Sequence, residues 1–169
     1  MCGIAGTSLN KLDAKLGQDV LKMSNFLSHR GPDDFGFFKN HSISLIHTRL
    51  SIIDVAGGKQ PIENSNFVIA VNGEIYNDLE IRKKIKNYKY KTNSDSESIL
   101  AVYKEFGIDG FDKLRGMYAF ALYDKKNNQL ILSRDEFGIK PLYFTFLNEG
   151  LVFSSEIQAI VNLRKMEYR

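Results

Sequence analysis

The fold turns on MYAFALYDKKNNQLILSRD, Met117–Asp135. Two runs rich in aromatic and β-branched residues flank Lys126-Asn127-Asn128, so the stretch reads as a β-hairpin. Its first run is apolar on both faces, the pattern of a strand covered on both sides. Working outward, SISLIHT (Ser42–Thr48), FVIAVNG (Phe67–Gly73), PLYFTF (Pro141–Phe146) and LVFSSE (Leu151–Glu156) read as further strands. Helical spacing predicts three helices: Leu16, Val20, Met23 and Leu27; Ile81 and Ile85; and Ile99, Val102, Tyr103 and Phe106. Gly107 closes the third. Ser94 and Glu97 are spaced as a capping box at its start, with Asp95 in the first turn. A short last helix, EIQAIVNL, follows the final strand. Many strands with helices set apart in sequence predict a layered α+β fold.

Bulk properties narrow the class. A chain of 169 residues has the size of one domain with its own core, and 43% hydrophobic with 25% charged residues is ordinary globular composition. No apolar run approaches the ~20 residues of a membrane span, and a signal segment is missing. The single cysteine excludes an internal disulfide, which points to a reducing cytoplasm. Much of the net charge of +3 sits in Arg82–Lys91, which reads as a solvated helix face rather than a nucleic-acid patch, there being no second basic cluster.

Cys2, directly behind Met1, admits two readings: a small buried residue on a first strand, or a terminal nucleophile. Once Met1 is removed, Cys2 carries an α-amino group whose ordinary pKa of ~7.7–8.0 suits it to act as the base for its own thiol. Other motifs divide similarly. Asn72-Gly73 is either a tight turn or an oxyanion hole, formed by the Asn72 amide and the Gly73 N–H. Arg49 either snorkels to solvent or grips a carboxylate bidentately. Asp95 complements a helix dipole, or with Glu74 holds an ammonium. Together these residues suit an α-amino acid bearing a side-chain amide, which is glutamine.

CGIAG, HRGPDDFG, HTRLSIID, QPI, VNGEIYN, SDSESIL, GMYAFALYD and SRDEFGIKPLYF stand in an order and spacing that resemble class II glutamine amidotransferases, most narrowly the glutaminase domain of asparagine synthetases. The resemblance runs from Cys2 to about Ile160. It implies an N-terminal-nucleophile (Ntn) hydrolase fold, a four-layer αββα sandwich of two antiparallel sheets, over one domain spanning residues 1–169 with Met1 removed. It implies that Cys2 attacks the glutamine amide and forms a γ-glutamyl thioester. Asn72 and Gly73 would be the oxyanion hole, Arg49 the carboxylate ligand, and Glu74 and Asp95 the ammonium ligands. The backbone of Leu50, Ser51, Ile52 and Ile53 would line the substrate cavity. HRGPDD is expected to be a mobile loop near the glutamine entrance, and Arg134 and Asp135 to set the fold.

Asn93 stands where glycine is common in the family, which alters a turn before Asp95. No Ser-Gly-Gly-x-Asp-Ser loop of a synthetase half is present, so ATP and Mg are expected only in a synthetase domain or subunit, in cis or in trans. The glutaminase reaction itself needs no metal or other cofactor. The resemblance gives no nucleic-acid or membrane partner and leaves a homodimer open.

Overall fold

A computed structural model describes residues 1–9, 20–54, 56–147 and 150–167. The chain forms β1 (Gly3–Leu9), β2 (Asp34–Lys39), β3 (Ile43–Arg49), β4 (Ile62–Glu63) and β5 (Phe67–Ile75). Helices α1 (Asp78–Lys84) and α2 (Glu97–Phe106) follow, then β6 (Gly116–Asp124), β7 (Gln129–Arg134), β8 (Tyr143–Leu147), β9 (Gly150–Ser154) and α3 (Ile157–Glu167). Two antiparallel sheets result, ordered β2-β3-β1-β9-β8 and β4-β5-β6-β7.

The strands read from sequence are present. The Met117–Asp135 hairpin turns where expected, with Asn128 at φ 50° and the Asp124 carboxylate accepting the N–H groups of Lys126 and Asn127. β1, β2 and β4 carry too little alternation to be found by pattern. β2 is an edge strand with no wholly buried side chain, and β4 has two residues.

Period-two alternation distributes the core. On β5, Val68 and Ala70 face the other sheet with Ile4, Leu45, Ala121 and Phe153. Ile69 and Val71 face outward onto Ile99, Leu100 and Val102 of α2. On the far side, Ala5, Ile46 and Val152 pack under Met23, Leu27, Ala159 and Ile160. Phe120 and Phe153 are fully buried, and such a side chain contributes roughly 1.5–3 kcal/mol on leaving water. The layers are therefore helix, sheet, sheet, helix, as the resemblance implied.

One local reading needs correction, and another falls partly outside the described residues. The first expected helix is seen only from Val20, as a short helical stretch running into a 3-10 turn at Met23–Phe26, and Leu16 lies outside the described residues. The capping box does not form. Ser96 is the residue before α2, so Asp95 stands ahead of the helix rather than in its first turn. Glu97 is buried and turns back to accept the N–H groups of Lys91 and Thr92 and the Thr92 hydroxyl, while Thr92 Oγ1 also takes the Ser94 N–H. Burial forced that carboxylate to collect every nearby donor. The basic run is a solvated helix face only at Lys83 and Lys84: Lys86 and Lys89 are exposed beyond the end of α1, Arg82 is half-buried on Asp78, and Ile81 and Ile85 are buried. Gly107 ends α2 at φ 66°.

Candidate active site

A cavity of about 230 Å³ opens at one end of the sandwich, lined by residues from both sheets and from the loops before α2. Alternation explains the meeting. Cys2 precedes β1 with the parity of Ile4, and Asn72 on β5 has the parity of Val68 and Ala70, so both project between the sheets. Arg49, at the end of β3, has the parity of Leu45 and His47.

The Cys2 sulfur lies against the backbone of Leu50, whose N–H is 3.4 Å from it and whose carbonyl is 3.6 Å away. The Cys2 carbonyl accepts Arg30 Nε at 2.9 Å, and Arg30 Nη1 pairs with Glu156 Oε1 at 2.6 Å. Residues 29–34 are thus tied down rather than free: Pro32 bridges to Arg49, and the Asp33 N–H donates to the Arg49 carbonyl at 2.9 Å. Within the segment expected to be a mobile loop, Arg30 thus holds the Cys2 backbone.

Asn72 is 1% exposed, and its Nδ2 has no hydrogen-bond partner among the described residues. An orphaned buried donor costs about 1–3 kcal/mol, a cost native folds seldom carry without use. Next to it, Gly73 has φ 153°, and a Cβ there would lie 2.1 Å from the Met117 carbonyl oxygen. Only glycine allows β5 to lie so close to β6 at this point. Before Asn72, Val71 is held at both of its backbone groups. The Gln60 side chain accepts the Val71 N–H at 2.7 Å, and His47 Nε2, across the sheet gap, lies 3.0 Å from the Val71 carbonyl. That contact makes Nε2 the protonated nitrogen. Burial pushes the imidazole pKa down to about 4, so the ring is neutral and is not a base for Cys2.

The Arg49 guanidinium is buried and donates from Nη2 to the carbonyls of Ile53, at 3.1 Å, and Asp54, at 2.7 Å. Asp95 is buried too, with Oδ2 accepting the Ile75 N–H at 2.6 Å. Burial pushes its carboxyl pKa up, the backbone donors from Ile75 and Ser96 pull it back, and the charges of Asp78 and Glu74 raise it further. A cation beside Asp95 would relieve that cost.

Of the residues picked from sequence, Cys2, Arg49, Leu50, Ile52, Ile53, Asn72, Gly73, Glu74 and Asp95 line this one cavity. Ser51 does not. Its N–H is drawn to Asp33 Oδ2 at 2.7 Å, which places it in an adjoining groove with Asp33, Asp34 and Lys59. Sequence reading missed Gln60, Met117 and Lys140 on the wall, and Arg30 behind it. Gln60 and Arg30 sit inside the quoted QPI and HRGPDDFG motifs, so their membership of those motifs was the available signal. Lys140 belongs to a segment read as architectural. Asp135 bears that reading out, accepting the N–H groups of Tyr118, Ile139 and Lys140. Among the described residues no cluster of His, Cys, Asp and Glu could hold a metal ion, and no helix is long and apolar enough to cross a membrane.

The family model of the glutamine amidotransferase domain matches residues 1–169. The chain belongs to the glutamine amidotransferase domain family. It is 43% identical over 166 residues to asparagine synthetase B [glutamine-hydrolyzing] of Escherichia coli, covering 95% of this chain and 30% of that protein. It is 41% identical over 167 residues to asparagine synthetase [glutamine-hydrolyzing] 2 of Bacillus subtilis, covering 95% of this chain and 22% of that one. The chain therefore spans less than a third of these relatives' length. Among solved structures, the glutamine phosphoribosylpyrophosphate amidotransferase of B. subtilis superposes with a TM-score of 0.73 at 20% identity, over 96% of this chain and 44% of that one. The amidotransferase domain thus has the Ntn-type architecture, two antiparallel sheets between helical layers.

Proposed function

We propose that this amidotransferase domain hydrolyses the side-chain amide of glutamine through Cys2 and supplies the ammonia to an ATP-dependent synthetase domain or subunit of the asparagine synthetase type. The observation that carries the reading is the buried, unpartnered Nδ2 of Asn72, a residue that lines one cavity with Cys2, Arg49, Glu74 and Asp95. An amide donor held free beside a nucleophile is preorganised for a charge that exists only during reaction.

The steps follow from these groups. With Met1 removed, the Cys2 amine takes the thiol proton and the sulfur attacks the amide carbon. The carbonyl oxygen becomes an oxyanion facing Asn72 Nδ2 and the Gly73 N–H. The C–N bond breaks, the amine returns its proton to the departing nitrogen, and ammonia leaves behind a γ-glutamyl thioester. Water, deprotonated by the same amine, cleaves the thioester to glutamate and restores the thiol. Arg49 holds the substrate carboxylate, and Glu74 and Asp95 hold its ammonium. No cofactor enters these steps, and ATP with Mg belongs to the synthetase half. A cytoplasmic location suits the free thiol.

Cys2→Ala should abolish ammonia release from glutamine, and Cys2→Ser should bind glutamine while turning over far more slowly. Residual hydrolysis in Cys2→Ala would refute the mechanism. A second reading has its own observation: Met1 lines the same cavity, and while it is attached the Cys2 nitrogen is an amide with no basicity. The domain would then bind glutamine without cleaving it. The intact mass of the purified protein separates the two.

A further inference from the structure

An α-amino acid carries its carboxylate and ammonium on one carbon, so its two grips must be held at a fixed separation. Here they come from segments far apart in sequence, the end of β3 and the loop before α2. We infer that Asp54, which does not line the cavity, is a positioning residue that locks the carboxylate grip of Arg49 to the ammonium grip of Asp95. This rests on the glutamine-site reading above and deepens it.

Both ends of Asp54 are in use. Its backbone sits in the left-handed region, at φ 50°, which curls the loop after β3 back over the guanidinium. Its carbonyl accepts Arg49 Nη2 at 2.7 Å and the Gly58 N–H at 2.8 Å. The approach is close enough that a Cβ on Gly58 would lie 2.8 Å from Nη2. The carboxylate bridges outward. Oδ1 accepts the Gly57 N–H at 3.1 Å, and Oδ2 accepts the Asn93 N–H at 2.9 Å. Asn93 stands two residues before Asp95, whose own carboxylate is fixed on the Ile75 N–H. One side chain therefore spans the two segments with charge-assisted hydrogen bonds, which are stronger than neutral ones. The geometry also gives Asn93 its use. The bridge needs only a backbone N–H, and Asn93 is not left-handed, since among the described residues Asp54 and Asn128 are the non-glycine positions with positive φ. Glycine is not required there.

Asp54→Asn is the sharp test, because asparagine tolerates the left-handed backbone but loses the charge and one acceptor oxygen. L-glutamine affinity is measured by calorimetry in the Cys2→Ser protein with and without Asp54→Asn. Ammonia release is measured in the Cys2 protein, on L-glutamine and on butyramide, a primary amide with neither α group. The expected result is a rise of about tenfold in glutamine Kd and KM, with kcat within about twofold and kcat/KM on butyramide unchanged. Asp54→Ala should raise KM further. An unchanged glutamine Kd overturns the inference, as does an equal loss on glutamine and butyramide, which would mark general loosening. If wild type releases no ammonia while Cys2→Ser binds glutamine, the hydrolytic reading fails, and the Kd comparison still decides the role of Asp54. If neither protein binds glutamine, both fall.

Discussion

Asp95 sets function against stability within one side chain. Burial raises its pKa, so at neutral pH the folded domain holds a carboxylate at a cost the unfolded chain does not bear. The sign is that of a raised acid: the penalty is absent below the unfolded pKa and complete once pH has passed the folded one. Asp95→Asn should therefore have a Tm at pH 7.5 at or above wild type, keeping an oxygen for the Ile75 N–H, while its glutamine KM rises with little change in kcat. Calorimetric melting beside steady-state kinetics checks both halves. In wild type, KM should climb as pH falls through the raised pKa, since only the carboxylate pairs with an ammonium. Gly73 has no such latitude. Gly73→Ala drives a Cβ into the Met117 carbonyl and shifts the peptide proposed to present an oxyanion donor, so kcat should fall by about 100-fold or more. An alanine variant with wild-type kcat would remove Gly73 from the oxyanion hole.

At the scale of elements, the Arg134–Lys140 turn wraps its backbone N–H groups around Asp135. Burial alone would raise that carboxyl pKa, but donors from Ile139, Lys140, Tyr118 and Phe137 outweigh it and hold the pKa below the usual range. Stability from a depressed acid is present above the unfolded pKa and is lost as pH falls through the folded one. Asp135→Asn should lower Tm at neutral pH, and the deficit should narrow under strong acid. The turn also shows what sequence can and cannot disclose. SRDEFGIKPLYF reads correctly as architecture at Asp135, yet the same turn delivers Lys140 to the cavity wall, a placement no local pattern encodes. Long strands such as β3, β5 and β6 were legible because both faces are buried, which fills them with apolar residues. β2 was not, being a half-buried edge strand. The residues that meet in the cavity could be picked out because they are unusual types in or next to strands: a cysteine at position 2, an arginine closing β3, and Asn-Gly in β5. Ser51 stands between the cavity-lining Leu50 and Ile52, yet its N–H turns to Asp33, a local direction that sequence does not encode.

The two sheets carry a polar link as well as their apolar faces, and it stands beside Asn72, the proposed oxyanion donor. His47 of the first sheet lies on the Val71 carbonyl of the second, one residue before Asn72, and its Nδ1 has no partner among the described residues. Deep burial and the Arg49 charge lower its pKa to about 4, against the opposing pull of the Val71 carbonyl and Asp34. The folded domain therefore refuses a proton that the unfolded chain accepts near pH 6.5. Stability is complete above pH 6.5 and is lost as pH falls towards about 4, by ~3 kcal/mol for a displacement of this size. His47→Gln retains an N–H for the Val71 carbonyl and cannot titrate. Its urea-unfolding free energy should stay nearly flat from pH 6.5 to 4.5, apart from the shared carboxylate contribution, while wild type declines. Parallel slopes in the two proteins would show that His47 is not the acid-sensitive link between the sheets. If the slopes diverge, the cost of placing a charge on the buried ring beside Asn72 should also reach the site, so glutamine affinity in the Cys2→Ser protein should fall over the same pH window and fall less with His47→Gln.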